Sequence, residues 1–221
     1  MGWMINYFRF AWKEVLGELF VRRHYYRDRR FACIDRALLK SYLFKSPYRI
    51  SKEYLLKRKA KDVYVYGETP LPTLERIAKE AQLSSNDRVL DLGCGRGRGV
   101  FFFAHFYGAV VYGIEKIPFF IYLSKRIAHR FDINRVSFFC ADMLKMPLPE
   151  VTMIYFYGTC LEDQEIREMI RRFKMLQTVR IVSVSYPLND YDATQSFEIQ
   201  KTFSVDFPWG TTTAYLQTLK T

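Results

Sequence analysis

The sequence is poor in the residues that hold metals and disulfides. It has four cysteines, Cys33, Cys94, Cys140 and Cys160, and no two form a C-x-x-C pair. That excludes a disulfide framework and a zinc signature, and makes a reducing compartment, the cytoplasm, the default. The three histidines, His24, His105 and His129, are scattered, so no metal site is expected. A membrane-spanning helix needs ~20 nearly charge-free residues. The densest apolar stretch, Trp3–Val21, is interrupted by Arg9, Lys13, Glu14 and Glu18. Those charges, with no small-residue cleavage site behind them, also argue against a secretory signal. Internal repeats and low-complexity segments are absent.

What is present is apolar and unevenly charged. Of 221 residues, 49% are hydrophobic and 17% aromatic, enough for one sizeable core with an extension. Residues 1–61 carry 16 Lys and Arg against 5 Asp and Glu, while the remainder carries 18 of each. The whole net charge of +11 therefore sits at the front. This asymmetry predicts a boundary near Lys61, with a basic, aromatic-rich helical extension over 1–61 and the main domain over 62–221. Arg22, Arg23, Arg27, Arg29 and Arg30 follow the apolar stretch. Three uses fit that order: a helix lying on an anionic membrane surface, an arm on nucleic acid, or a helical lid with its basic face in water. The first would make the protein peripheral to a membrane.

The most informative segment is Asp87–Lys116. Val89, Leu90 and Leu92 form a short apolar run fit for a buried parallel strand. Asp91-Leu-Gly-Cys-Gly-Arg-Gly97 is a turn that admits close approach to the backbone. Val100–Tyr107 reads as a helix stopped by Gly108. Val110–Ile114 is the next strand, and Glu115 ends it. A strand, glycine loop, helix and acid-ended strand hold a nucleoside-bearing cofactor. The dinucleotide fingerprint G-x-G-x-x-G fails in both registers, because Arg98 and Val100 stand where its third glycine is needed.

Further along, a helix is expected around Pro72–Leu83 and another over Pro118–Phe131, with proline in its first turn. Val136–Cys140 and Val151–Tyr157 read as strands three and four. Asp163 is a candidate N-cap for a helix striped by Ile166, Met169, Ile170 and Phe173. Arg180–Tyr186 is strand five. Phe197–Phe203 and Thr211–Leu219 alternate about Pro208-Trp-Gly210 and read as a closing hairpin. Alternating strands and helices predict an α/β fold with a mostly parallel sheet.

The motif D-L-G-x-G-x-G with an acid ending strand two resembles motif I of class I S-adenosylmethionine (SAM) methyltransferases. That resemblance implies a seven-stranded Rossmann-like sheet whose last strand is antiparallel, with SAM as cofactor and S-adenosylhomocysteine as product. It implies that Asp91, Gly93, Gly95 and Gly97 admit the amino-acid part of SAM and that Glu115 grips the ribose hydroxyls. A carboxylate accepts two such bonds well. Asp142, with Met143 after it, then stands where the family places its adenine contacts. Tyr66-Gly-Glu-Thr69 and Tyr112-Gly-Ile-Glu-Lys116 sharpen the likeness. They resemble the seven-strand histone-lysine methyltransferases of the disruptor-of-telomeric-silencing type. There the first loop, here Tyr66, Gly67, Glu68 and Thr69, folds over the methionine end of SAM. The second motif, here ending Glu115-Lys116, is the ribose site. The chain is also similar to the small membrane-associated lysine methyltransferases of the ATP-synthase c-subunit type. It departs from the histone enzymes at Arg98, where they have glutamine, and in strand four, which lacks their paired asparagines. Their long substrate-binding extensions are missing too.

The loop after strand four faces the transferable methyl in this fold. Tyr155 and Tyr157 share one face of that strand by its period of two, with Phe156 opposite. They could line a channel that holds a cationic amine and excludes water. With the resemblance to the seven-strand lysine methyltransferases, the expected acceptor is a protein lysine. An RNA methyltransferase using the basic arm, a small-molecule methyltransferase and a non-catalytic SAM-fold module remain open alternatives. Strand four lacks the Asn/Asp-Pro-Pro-Tyr loop usual for methylation of base amino groups.

Overall fold

A computed structural model describes residues 17, 19–176 and 178–220. Most of the apolar stretch read as a membrane or lid helix, residues 3–16, lies outside the described residues, as does Glu18. Residues 19–24 are helical. They are followed by α1 (Arg29–Lys40), α2 (Pro47–Lys57) and α3 (Leu71–Glu80). Then come β1 (Arg88–Leu92), α4 (Arg98–Tyr107), β2 (Val110–Glu115), α5 (Pro118–Arg130), β3 (Val136–Cys140) and β4 (Met153–Phe156). The chain closes with α6 (Asp163–Phe173), β5 (Arg180–Val184), β6 (Phe197–Phe207) and β7 (Gly210–Leu219).

The seven strands form one sheet in the order β3-β2-β1-β4-β5-β7-β6. Six run parallel, and β7 runs against its neighbours β5 and β6. This is the expected Rossmann-like methyltransferase sheet. The central strands are apolar because both faces are covered. Val89, Val111, Met153, Tyr155 and Val182 pack under α1, α3, α4 and α5. Leu90, Leu92, Ile114, Ile154, Phe156 and Ile181 pack under α6. Consecutive residues thus enter opposite cores, as the pleat requires. On α4, Phe101, Phe102 and Phe103 are fully buried, each worth roughly 1.5–3 kcal/mol of transfer from water.

Several expected element ends shift. Strand four is Met153–Phe156, so Tyr157 lies just past it. Two shifts have a clear cause. The N-cap of α6 is Glu162, not Asp163: Glu162 and Glu165 form a capping box, which satisfies two backbone donors reciprocally. Strand β6 runs to Phe207 rather than Phe203, because Phe203, Val205 and Phe207 continue the buried alternation. The hairpin then turns on Pro208 and Trp209 alone.

Candidate functional site

The sheet order reverses between β1 and β4, and a cavity of about 400 Å³ opens at their carboxyl ends. Open α/β sheets bind ligands at this switch point. The cavity brings together almost every residue singled out from the sequence: Tyr66, Gly67, Glu68, Thr69, Asp91, Gly93, Gly95, Glu115, Lys116, Asp142, Met143, Tyr155 and Tyr157. Gly97 is not among its lining. It stands in left-handed backbone before α4, and a Cβ there would lie 2.6 Å from the Phe138 ring. Gly97 is a packing glycine that lets α4 approach β3.

The glycine loop is folded by its neighbours. The amides of Gly93 and Cys94 both donate to the Ile114 carbonyl, at 2.9 and 3.0 Å, tying the loop to the end of β2. Glu115 then accepts from Gly95 N on Oε2 at 3.1 Å and from Ile117 N on Oε1 at 2.8 Å. Each oxygen keeps a second lone-pair direction for a ligand. Burial raises the Glu115 carboxyl above its ordinary value despite those backbone bonds. Gly95, at φ +52°, lies beneath Tyr66: a Cβ there would stand 3.1 Å from the tyrosine hydroxyl. Gly99, which no sequence motif singles out, lets α4 pass close to Asp91, since its Cβ would lie 3.0 Å from Oδ2.

Asp91 is buried. Desolvation, with the neighbouring Glu115 charge, pushes its carboxyl up to about 7. No hydrogen bond to its side chain comes from the described residues. A buried carboxylate left bare is costly unless a cation completes it.

Above the loop, the Tyr66 hydroxyl donates to Glu68 Oε1 at 2.7 Å, and Arg96 Nη2 binds Glu68 Oε2 at 2.6 Å. Thr69 Oγ1 and the Tyr155 hydroxyl are 2.7 Å apart, fastening this segment to β4. On the other side, Asp142 Oδ1 accepts from Leu144 N at 3.0 Å, and Oδ2 takes no hydrogen bond from the described residues. Met143 Cε would touch a Cβ on Gly93 at 3.5 Å, and Arg172 holds the Met143 and Met146 carbonyls.

The end beyond β4 is aromatic. Tyr157 lies against Phe207 with centroids 4.8 Å apart, and Phe207 stacks on Trp209 at 5.3 Å. Trp209 lines the cavity while 60% exposed, so this wall reaches the cavity mouth. Nothing in the sequence signals Trp209, since an aromatic in a two-residue hairpin turn has no periodicity. Arg96 of the glycine loop and Thr159 of the loop after strand four also line the cavity, as do Arg98, Cys160 and Glu165, which no sequence pattern marks as contacts. Among the described residues no group of three or more His, Cys, Asp and Glu side chains is placed to hold a metal. No described helix is long and apolar enough to cross a membrane.

The residues fit a SAM-sized ligand in three respects: a bare buried carboxylate for an ammonium, free carboxylate lone pairs for hydroxyls, and a glycine, Gly95, that cannot take a Cβ without pressing on Tyr66.

Comparison with known proteins agrees with this architecture. Residues 83–201 match the family model described as a methyltransferase domain. No curated protein matches the sequence. Among solved structures, an RNA methyltransferase from Salinibacter ruber in complex with S-adenosyl-L-homocysteine superposes with a TM-score of 0.55. It is 23% identical, over 68% of this chain and 93% of that one. TrmN from Thermus thermophilus gives a TM-score of 0.60 at 17% identity, over 71% of this chain and 51% of that one. A SAM-dependent methyltransferase from Aquifex aeolicus gives 0.52 at 15% identity, over 65% and 88% of the two chains. At these identities the structural likeness speaks for the fold.

Proposed function

The chain belongs to the methyltransferase-domain family and is a class I SAM-dependent methyltransferase, and from that premise we propose that its methyl acceptor is a protein lysine side chain. The observation that carries the proposal is the aromatic wall Tyr157–Phe207–Trp209 at the cavity mouth, adjoining the Tyr155–Thr69 pair. Aromatic faces attract an ammonium group, most strongly where water is displaced.

SAM, when bound, supplies a methyl group on a positively charged sulfur. In the proposed assignment Asp91 pairs with the cofactor's ammonium group, Glu115 accepts from the ribose hydroxyls, and Asp142 accepts from the adenine amine. Met143 packs on the base, and Lys116 stands at the rim by the ribose site. Gly93 and Gly95 keep the floor bare, while Tyr66, Gly67, Glu68 and Thr69 form the cover. Burial holds the Tyr155 hydroxyl well above its ordinary value. It therefore stays protonated at neutral pH and orients an amine by hydrogen bonding rather than as a base. A lysine drawn along the Tyr157–Phe207–Trp209 wall is desolvated, which opposes the wall's attraction for its cation, lowers its pKa and favours the neutral nucleophile. What remains is alignment of nitrogen and methyl, the main demand of an in-line displacement. Residues 1–61 form, in this proposal, an extension of the unit that begins at residue 62, and its described helix α1 is fastened to that unit through Asp35 and Arg98.

A second reading, RNA as acceptor, is favoured by the basic extension and by the Salinibacter ruber enzyme's likeness in fold. The two separate in one experiment. Radiolabelled SAM is incubated with the protein and a host lysate, and the product is split by protease and ribonuclease. Label released by protease supports the lysine proposal; label released by ribonuclease alone contradicts it.

A further inference from the structure

Helices α1 and α5 pack side by side, and the exposed charges on the two helices themselves are all positive, with exposed Asp28 and Asp132 only at their ends. Arg29, Arg30, Arg36 and Lys40 on α1 are exposed, as are Lys125, Arg126 and Arg130 on α5. The only carboxylate on either helix, Asp35, is buried and bound to Arg98. A groove between the helices is lined by Ala37, Ser41, Tyr122, Lys125, Arg126 and Arg130.

At the end of this groove the chain turns from α1 into α2, and the turn is apolar. Phe44 is 101% exposed and Leu43 is 73% exposed. Tyr42, beside them, is buried with its ring against Phe119, at 6.4 Å, and Phe120, at 5.9 Å, which anchors the turn on the first turn of α5. Phe119 and Tyr122 are themselves about half exposed. A contiguous exposed apolar patch on a protein surface marks an interaction site.

We propose that this face docks on an anionic phospholipid surface, with Leu43 and Phe44 entering the headgroup–acyl boundary and the groove cations meeting lipid phosphates. Charge complementarity supplies the argument for the occupant. A cation-lined groove without an exposed carboxylate on its helices selects a negative surface. The aliphatic Leu43 beside a fully exposed Phe44 selects a bilayer over nucleic acid. A phosphate backbone offers Leu43 neither stacking nor burial, whereas the boundary region of a bilayer removes both side chains from water. The surface lies outside the cavity, so the proposal stands or falls apart from the identity of the methyl acceptor.

The test is co-sedimentation of the full chain with phosphatidylcholine vesicles with or without about 30% phosphatidylserine, at low and high salt. Binding is expected with the anionic vesicles and should weaken with salt. The L43S/F44S pair should lower partitioning about tenfold or more, and K40E/R126E should do the same by charge. F44W should retain binding, because tryptophan favours the interface. SAM affinity should stay at the wild-type value in all three variants, which serves as the folding control. Equal binding to neutral vesicles, or unchanged partitioning of L43S/F44S, would overturn the proposal. So would loss of RNA-oligonucleotide binding by these variants with vesicle binding intact.

Discussion

Asp35 and Arg98 are paired in two-point fashion, Nε to Oδ1 at 2.8 Å and Nη2 to Oδ2 at 2.7 Å. The Tyr26 hydroxyl adds a third bond to Oδ2 at 2.9 Å. One partner stands in α1 and the other opens α4, directly after the glycine loop. The pair therefore fastens the basic front of the chain to the element that shapes the cavity floor. Removing one member of a buried pair leaves the other uncompensated, at a cost of roughly 3–5 kcal/mol. Asp35→Ala should lower stability by that order in chemical denaturation. The double variant D35A/R98M should recover most of the loss; a double variant no better than D35A would show that the pair does not act as a unit.

The buried Asp91 carboxyl gives a prediction with opposite signs for stability and binding. Its value is raised from 3.8 to about 7, so the folded state prefers the protonated form. Its burial costs stability progressively as pH rises from about 4 to 7, and fully above that. Asp91→Asn should therefore raise the Tm at pH 8, by no more than roughly 4 kcal/mol in stability. The same change removes the charge proposed to meet the cofactor's ammonium, and SAM affinity should fall about tenfold or more. Wild-type affinity should rise with pH up to about 7 and level off above. Calorimetric titration at several pH values checks this; a pH-independent affinity would contradict the assignment.

Glu115 has two jobs in the proposed site, holding Gly95 and Ile117 by their amides and offering its remaining lone pairs to the ribose. Glu115→Ala should cost at least about tenfold in SAM affinity. Titration with SAM measures it, and unchanged affinity would remove Glu115 from the cofactor site.

The aromatic wall separates acceptor from cofactor. Tyr157→Ala and Trp209→Ala should lower kcat/KM for the acceptor by about tenfold while SAM affinity holds. Steady-state kinetics read against SAM titration make the comparison. Equal turnover in both variants would place the wall outside the acceptor site.

Much of the fold and of the cavity floor is legible in the order of the residues alone. Val89–Leu92 and Val110–Ile114 announce themselves because strands buried on both faces must be apolar without alternation. The glycine loop and Glu115 stand at fixed places relative to those strands, so the floor follows from them. Gly97 reads as a cofactor glycine, yet its need for a bare Cα comes from Phe138, far away in sequence. The Arg98–Asp35 pair is 63 residues apart and leaves no periodic trace. Trp209 reaches the cavity because β6 extends to Phe207, and that the next turn residue faces the cavity is set by the sheet's packing rather than by any local pattern. Local pattern reveals elements; contacts between distant elements need the fold.

The most direct test of the central claim is the chemical identity of the methylated residue. Protein labelled with radioactive SAM by the wild-type chain should be hydrolysed to amino acids and separated against methylated standards. The account predicts label in methyllysine, lost with Glu115→Ala and strongly reduced with Tyr157→Ala. Label in another amino acid, or only in nucleosides or small molecules, would contradict it.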